Sequence, residues 1–378
     1  MTAGKKIFMH SRELEEFPYP AEHPFNTSRA GRVRKIIDSM GLLARPDREE
    51  VPPKHIGRDL LEKFHGAQYL DALEKAGAGE FDFRMLSMGL GTGDCPVFEG
   101  LYDYAVLAAG ATVAGAEKIV AGQAQVAFNP SGGYHHAHAD RAAGFCYIND
   151  VVLGCMALTD AGKRVLYLDV DVHHGDGVQE AFYERSDVMT ISLHQNPRTL
   201  FPGTGFANEI GTGEGKGFAV NIPLPIGTYD EVYMKAVESV VLPLIGAYGP
   251  DCFVMEIGTD ALADDPLANL VLTNNVYADV IGELLNFDRP ILAVGGGGYN
   301  VENTVRAWSL AWAALCGDDA GPEEGLGMGA VMPGSTDRQG SLRAKALVPD
   351  KTQCDTIEQA VKAVIDVVKK NVFPYHKL

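Results

Sequence analysis

An α/β fold, with a mainly parallel β-sheet flanked by helices on both faces, is predicted by three features of the sequence. Short apolar runs rich in β-branched residues recur along the chain, helix-like stretches separate most of them, and most of the runs end in unusual polar residues. The runs are 125–128, 165–170, 188–193, 252–257 and 290–294; the helical stretches include 100–120 and 231–248. Runs that are largely apolar rather than alternating suit strands covered on both sides, and alternation with helices suits parallel pairing. In open sheets of this kind, ligands bind beyond the carboxyl ends of the strands. The run 125–128 leads into SGGYHHAH, 165–170 into DVHHGDG, 252–257 into GTDALADD and 290–294 into GGGGY. Four polar segments at four strand ends point to one shared site.

The chain of 378 residues is expected to form a single domain, with its motifs between about residues 6 and 316. Residues 317–340, rich in Gly, Pro and acidic groups, read as a loose surface segment. Residues 355–371 read as a packing helix: Asp355 and Glu358 have capping-box spacing, and Ile357, Val361, Val364, Ile365 and Val368 share one face. The formal net charge is −18 with no basic stripe, which argues against direct binding to nucleic acid or an anionic membrane and favours a cationic substrate. No apolar stretch is long enough for a secretory leader or a membrane span. The six cysteines are scattered without a Cys-x-x-Cys pair, so a reducing cytoplasm is the expected location.

Six of the eleven histidines lie between His135 and His194, interleaved with aspartates. In an extended 166–174 segment, Asp169, Asp171 and His173 would point one way and Leu168, Val170 and Val172 the other. Two carboxylates on one buried face repel each other and lose hydration, and a divalent cation answers both problems. Salt bridges at a strand end are the duller alternative, but the segment has no Lys or Arg. Asp260 is the best third ligand, although a strand-end aspartate on its own more often caps a helix or makes a turn. One imidazole and two carboxylates suit zinc with an open fourth position, and iron(II) is also admissible.

The strings GGYHHAHADRAAGFCYIND (132–150), YLDVDVHHGDGVQEAFY (167–183), FPGTG (201–205), IGTDAL (257–262) and GGGGY (295–299) occur in this order. Together they resemble the zinc-dependent histone deacetylase superfamily, on the arginase–deacetylase fold, over about residues 6–316. Within it the chain looks closest to class I-like enzymes, and in size to compact bacterial members such as acetoin-utilisation deacetylases. The resemblance implies Asp171, His173 and Asp260 as zinc ligands, and His135 and His136 as the tandem histidines backed by Asp169 and Asp176. It implies Tyr299 as the tyrosine that polarises the substrate carbonyl. Gly144, Phe145 and Phe201 would line the acyl-lysine tunnel, with Leu267 at its mouth and Asp94 on its rim. Arg29 would belong to an internal cavity beneath the metal. A K⁺ or Na⁺ ion is implied beside Asp169, Asp171, His173, Ser192 and Leu193. Three departures stand out. Tyr134 occupies a place where many relatives have leucine, and Asp264 one where class I members usually have glycine. Pro266 and Glu302 stand where corepressor-bound class I members carry arginines for inositol phosphates, which argues against that ligand and such a complex.

The expected reaction is hydrolysis of acetyl-lysine in proteins or peptides by metal-activated water. The alternatives are an acetylpolyamine or other small-amine deacetylase, a metal-binding scaffold without turnover, and an arginase-type ureohydrolase, which normally needs a more carboxylate-rich site. Gly211–Gly217 (GTGEGKG) lacks the spacing and the Ser or Thr of a P-loop, and Gly89–Gly93 (GLGTG) lacks a dinucleotide-site context. Neither supports phosphate binding. The oligomeric state is not written in the sequence.

Overall fold

The structure, a computed structural model, describes residues 4–15, 17, 19–20, 22–318, 342–347 and 349–378. Apart from its first two residues, the segment 317–340 lies outside the described residues. Eight strands form one parallel sheet: β1 (Lys5–Met9), β2 (Arg48–Val51), β3 (Ala124–Asn129), β4 (Val165–Asp169), β5 (Val188–Gln195), β6 (Ala219–Leu224), β7 (Cys252–Glu256) and β8 (Ile291–Val294). Their order is β2-β1-β3-β8-β7-β4-β5-β6.

All five runs read from the sequence are strands, displaced by a few residues at most. The other three lie at or near the sheet edges, where burial writes a weaker pattern. β2 reads REEV, and β6 contains Asn221 and Pro223. Pro223 is tolerated because β6 has a neighbour on one side only.

Alternation within the strands sorts side chains into two layers. Leu166 and Leu168 of β4 face a core built with the helices Ser28–Ser39, Asn275–Leu285, Val301–Leu315 and Lys351–Val372. Val165 and Tyr167 face a second core against Leu101–Val120, Asp150–Asp160 and Asp176–Phe182. The expected helix 231–248 is divided into Asp230–Ala236, a π turn at Val237–Val241, and Leu242–Tyr248. Pro243 accounts for the division, since it lacks an N–H and its ring crowds the preceding turn. The last helix begins at Lys351, before the expected 355. Asp350 caps it, accepting bonds from the N–H groups of Thr352 and Gln353, so Asp355 lies inside the helix. Among the described residues, no helix is long and apolar enough to cross a membrane.

The four strands that lead into the polar motifs, β3, β8, β7 and β4, are adjacent at the centre of the sheet. Their carboxyl ends therefore open side by side.

Candidate active site

β4 ends at Asp169, so the extended geometry expected through His173 is replaced by two tight bends. Asp169 Oδ1 accepts the N–H of Asp171 at 3.1 Å, and Asp171 Oδ1 accepts the N–H of His173 at 2.8 Å. Such bonds from an aspartate to the backbone two residues on stabilise turns. The bends carry His173 toward Asp260, which follows β7. His173 Nδ1 lies 3.1 Å from Asp171 Oδ1 and 3.0 Å from Asp260 Oδ2. The other oxygen of each carboxylate is held by backbone: Gly297 N–H donates to Asp171 Oδ2 at 2.7 Å and Val172 N–H to Asp260 Oδ1 at 3.0 Å. A Cβ on Gly297 would lie 2.0 Å from Asp260 Oδ2, so the glycine-rich strand end keeps the backbone close to the carboxylates.

These three side chains fit a divalent cation. Their donor atoms lie within 4.8 Å of one another, and all three residues are buried. Protein groups alone do not balance the charge: burial, and then the neighbouring Asp171, push the Asp260 carboxyl up to about 7. One imidazole and two carboxylates also leave a coordination position free for substrate or water.

His135 and His136 follow β3 and face each other, with their Nε2 atoms 3.0 Å apart. Each has its own carboxylate: His135 Nδ1 is 3.1 Å from Asp169 Oδ2, and His136 Nδ1 is 2.8 Å from Asp176 Oδ1. Burial opposes a charge on His135, but the Glu256, Asp169 and Asp171 carboxylates outweigh it and hold its pKa well above the usual value. His136 goes the other way, down to about 4, through burial and then the charge of His135. The paired rings therefore favour different protonation states.

Asp171, His173, His136, Phe145 and Tyr299 line one cavity. The Phe201 ring meets His136 edge-on at 4.9 Å between centroids, and Phe145 meets Tyr299 in the same way at 5.6 Å. Gly144, at φ +51°, passes so close that a Cβ would lie 2.5 Å from His136 and 2.9 Å from Phe201. Leu267 and Asp94 are exposed, and the Asp94 carbonyl lies 3.2 Å from His23 Nε2. Arg29 is buried between Phe25 and Trp308, donating to the carbonyls of Gly298 and Gly296 at 2.7 and 3.2 Å. Ser192 is paired with Asp169 across β5 and β4, its Oγ 3.5 Å from Asp169 Oδ2, and Leu193 beside it is fully buried.

The histone deacetylase domain family matches residues 23–315. The chain is 39% identical over 313 residues to histone deacetylase 8 of Xenopus tropicalis, covering 82% of this chain and 84% of the relative. Histone deacetylase RPD3 of Saccharomyces cerevisiae is 37% identical over 310 residues, covering 82% and 71%. This chain belongs to the histone deacetylase family. The crystal structure of an HDAC homologue complexed with SAHA is similar throughout, with a TM-score of 0.84, 30% identity, and coverage of 97% of this chain and 100% of that one.

This histone deacetylase family member contains site groups that pattern reading passed over. Glu256, fully buried at the end of β7, places Oε1 3.2 Å from His135 Nδ1, while its Oε2 accepts the Tyr167 hydroxyl at 2.7 Å. Its signal was a lone acid inside an apolar run. His138 meets the Asp176 oxygen that His136 does not use, and Glu180 in turn meets the other ring nitrogen of His138. The departures also have physical settings. Asp264 takes the left-handed φ of +68° that favours glycine. The Tyr134 hydroxyl bonds to that of Tyr104 at 2.8 Å, and Glu302 pairs with Arg32 on the surface.

Proposed function

We propose that this protein hydrolyses the acetyl amide of acetylated lysine side chains in proteins or peptides, with zinc at Asp171, His173 and Asp260. The observation that carries this reading is one cavity lined by Asp171 and His173 of the buried metal-donor triad, by two histidines with separate carboxylates, and by Tyr299, with Asp260 behind it in the triad. A divalent cation at the triad supplies the Lewis acidity that makes water nucleophilic near neutral pH. His136, neutral and oriented by Asp176, takes a proton from water at Nε2 and passes it to the departing amine nitrogen. His135, oriented by Asp169 with Glu256 behind it, stands beside His136 at the reacting centre. Tyr299 donates a hydrogen bond to the forming oxyanion. Phe145 and Phe201 exclude water around the apolar lysine stem, and Asp94 at the rim holds the peptide backbone. Arg29 belongs to the wall of the internal cavity, and Asp169, Asp171, His173, Ser192 and Leu193 would hold a K⁺ or Na⁺ ion that would steady the bends presenting Asp171 and His173.

A small acetylated amine is the second reading, favoured by the net charge of −18, which attracts free cationic amines as readily as basic peptides. Zinc- and iron(II)-loaded protein assayed on an acetyl-lysine peptide and on acetylated putrescine and spermidine separates the two. The peptide is expected to have the higher kcat/KM; a preference for the free amines would overturn the choice of substrate.

A further inference from the structure

Asp176 is gripped from both sides. Oδ1 lies 2.8 Å from His136 Nδ1, and Oδ2 lies 3.2 Å from His138 Nε2. The other nitrogen of His138, Nδ1, lies 2.6 Å from Glu180 Oε2. The His138 side chain is 5% exposed and that of Glu180 is 56% exposed. A continuous hydrogen-bonded chain thus runs from His136 to the surface without passing through the tunnel.

We infer that His138 is a positioning residue for His136, fixing the Asp176 carboxylate by its far oxygen. The inference rests on the deacetylase reading and deepens it. Oδ1 also accepts the Gly177 N–H at 3.1 Å, but a carboxylate held at one oxygen alone can still swing its other oxygen, and the donor at Oδ2 removes that freedom. The partners of a reactive imidazole set its tautomer and direction. His138 is itself rigid: its N–H donates to the Arg141 carbonyl at 3.0 Å, and its carbonyl accepts from His65 Nδ1 at 3.0 Å. Asn149 Nδ2 ties the same loop down by donating to the carbonyls of His135 and Ala137, at 3.2 and 2.8 Å. With a carboxylate oxygen at each ring nitrogen, His138 donates from both as an imidazolium. Burial opposes that charge and Arg141 opposes it further, but the bond to Asp176 and the charges of Asp176 and Glu180 prevail, raising its pKa.

The test compares His138→Ala and His138→Gln with the wild type, as metal-loaded full chains, on an acetyl-lysine peptide. His138→Ala should lower kcat by about 10–100-fold, the range seen when the hydrogen-bond partners of metal-site residues are removed, with KM and metal content little changed. His138→Gln, whose amide N–H reaches the same oxygen, should restore most of the loss. A kcat for His138→Ala within about twofold of wild type, or a loss that His138→Gln does not repair, would overturn the inference. A second readout does not depend on turnover. The downfield proton resonance of the Asp176-bonded His136 ring, identified by its loss in His136→Ala, should persist in His138→Gln and broaden in His138→Ala. An unchanged resonance in His138→Ala would also refute the role. Wild-type protein without deacetylase activity would count against the deacetylase reading itself, and the resonance would still decide on His138.

Discussion

Tyr299 and Gly144 show how much of the proposed chemistry depends on single side chains. The Tyr299 N–H is anchored to Asp265 Oδ2 at 2.8 Å, so its backbone position does not depend on the hydroxyl. Tyr299→Phe should therefore fold and bind metal normally while kcat falls by about 10²–10³, the usual loss for one oxyanion donor. Steady-state kinetics with metal analysis checks this, and near-normal turnover would remove the role. Gly144→Ala tests the tunnel wall. A Cβ 2.5 Å from the His136 ring must displace it, and small displacements of reacting groups are costly, so kcat should drop about tenfold or more. A variant with unchanged kcat would show that the wall yields. At this scale the sequence was most legible where polar residues interrupt strand ends in clusters, as at His135, Asp171 and Asp260. Glu256 and His138 were harder to see because their meaning comes from partners distant in the chain: His135 after β3 and Tyr167 on the neighbouring strand for Glu256, and Asp176 for His138.

Among the elements, the central strands were readable because burial on both faces made them apolar throughout. β2 and β6, at the edges, carry charge, Asn and Pro, and this hid them. The start of the last helix was misplaced for a related reason: Asp350 and Asp355 are both plausible caps, and spacing alone does not choose between them. In the structure Asp350 accepts two backbone N–H groups, at 2.9 and 3.1 Å. Asp350→Ala should thus cost about 1 kcal/mol of stability, read by chemical denaturation, whereas Asp355→Ala should cost much less. Equal effects would mean that the capping bond contributes little.

For the molecule as a whole, buried neutral histidines set an acid limit on stability. His65 accepts the Asn149 N–H at Nε2 and donates from Nδ1 to the His138 carbonyl; burial brings its pKa down to about 4. The unfolded chain takes up this proton near pH 6.5, so it binds more protons than the folded state between about pH 6.5 and 4. The stability contributed by His65 is therefore complete above that window and falls as the pH falls through it, by on the order of 3 kcal/mol in total. Denaturation of wild type and His65→Gln across this range should show a shallower pH dependence for the variant, and equal slopes would refute the assignment. The central claim is that β4 and β7 bring Asp171, His173 and Asp260 together around one cation on which deacetylation depends. Its most direct test is the turnover of an acetyl-lysine peptide by chelator-stripped protein as Zn²⁺ is added back. Activity should be absent at first and should rise to a plateau at one equivalent per chain. Full activity in the stripped protein, or no recovery with zinc or iron(II), would contradict the account.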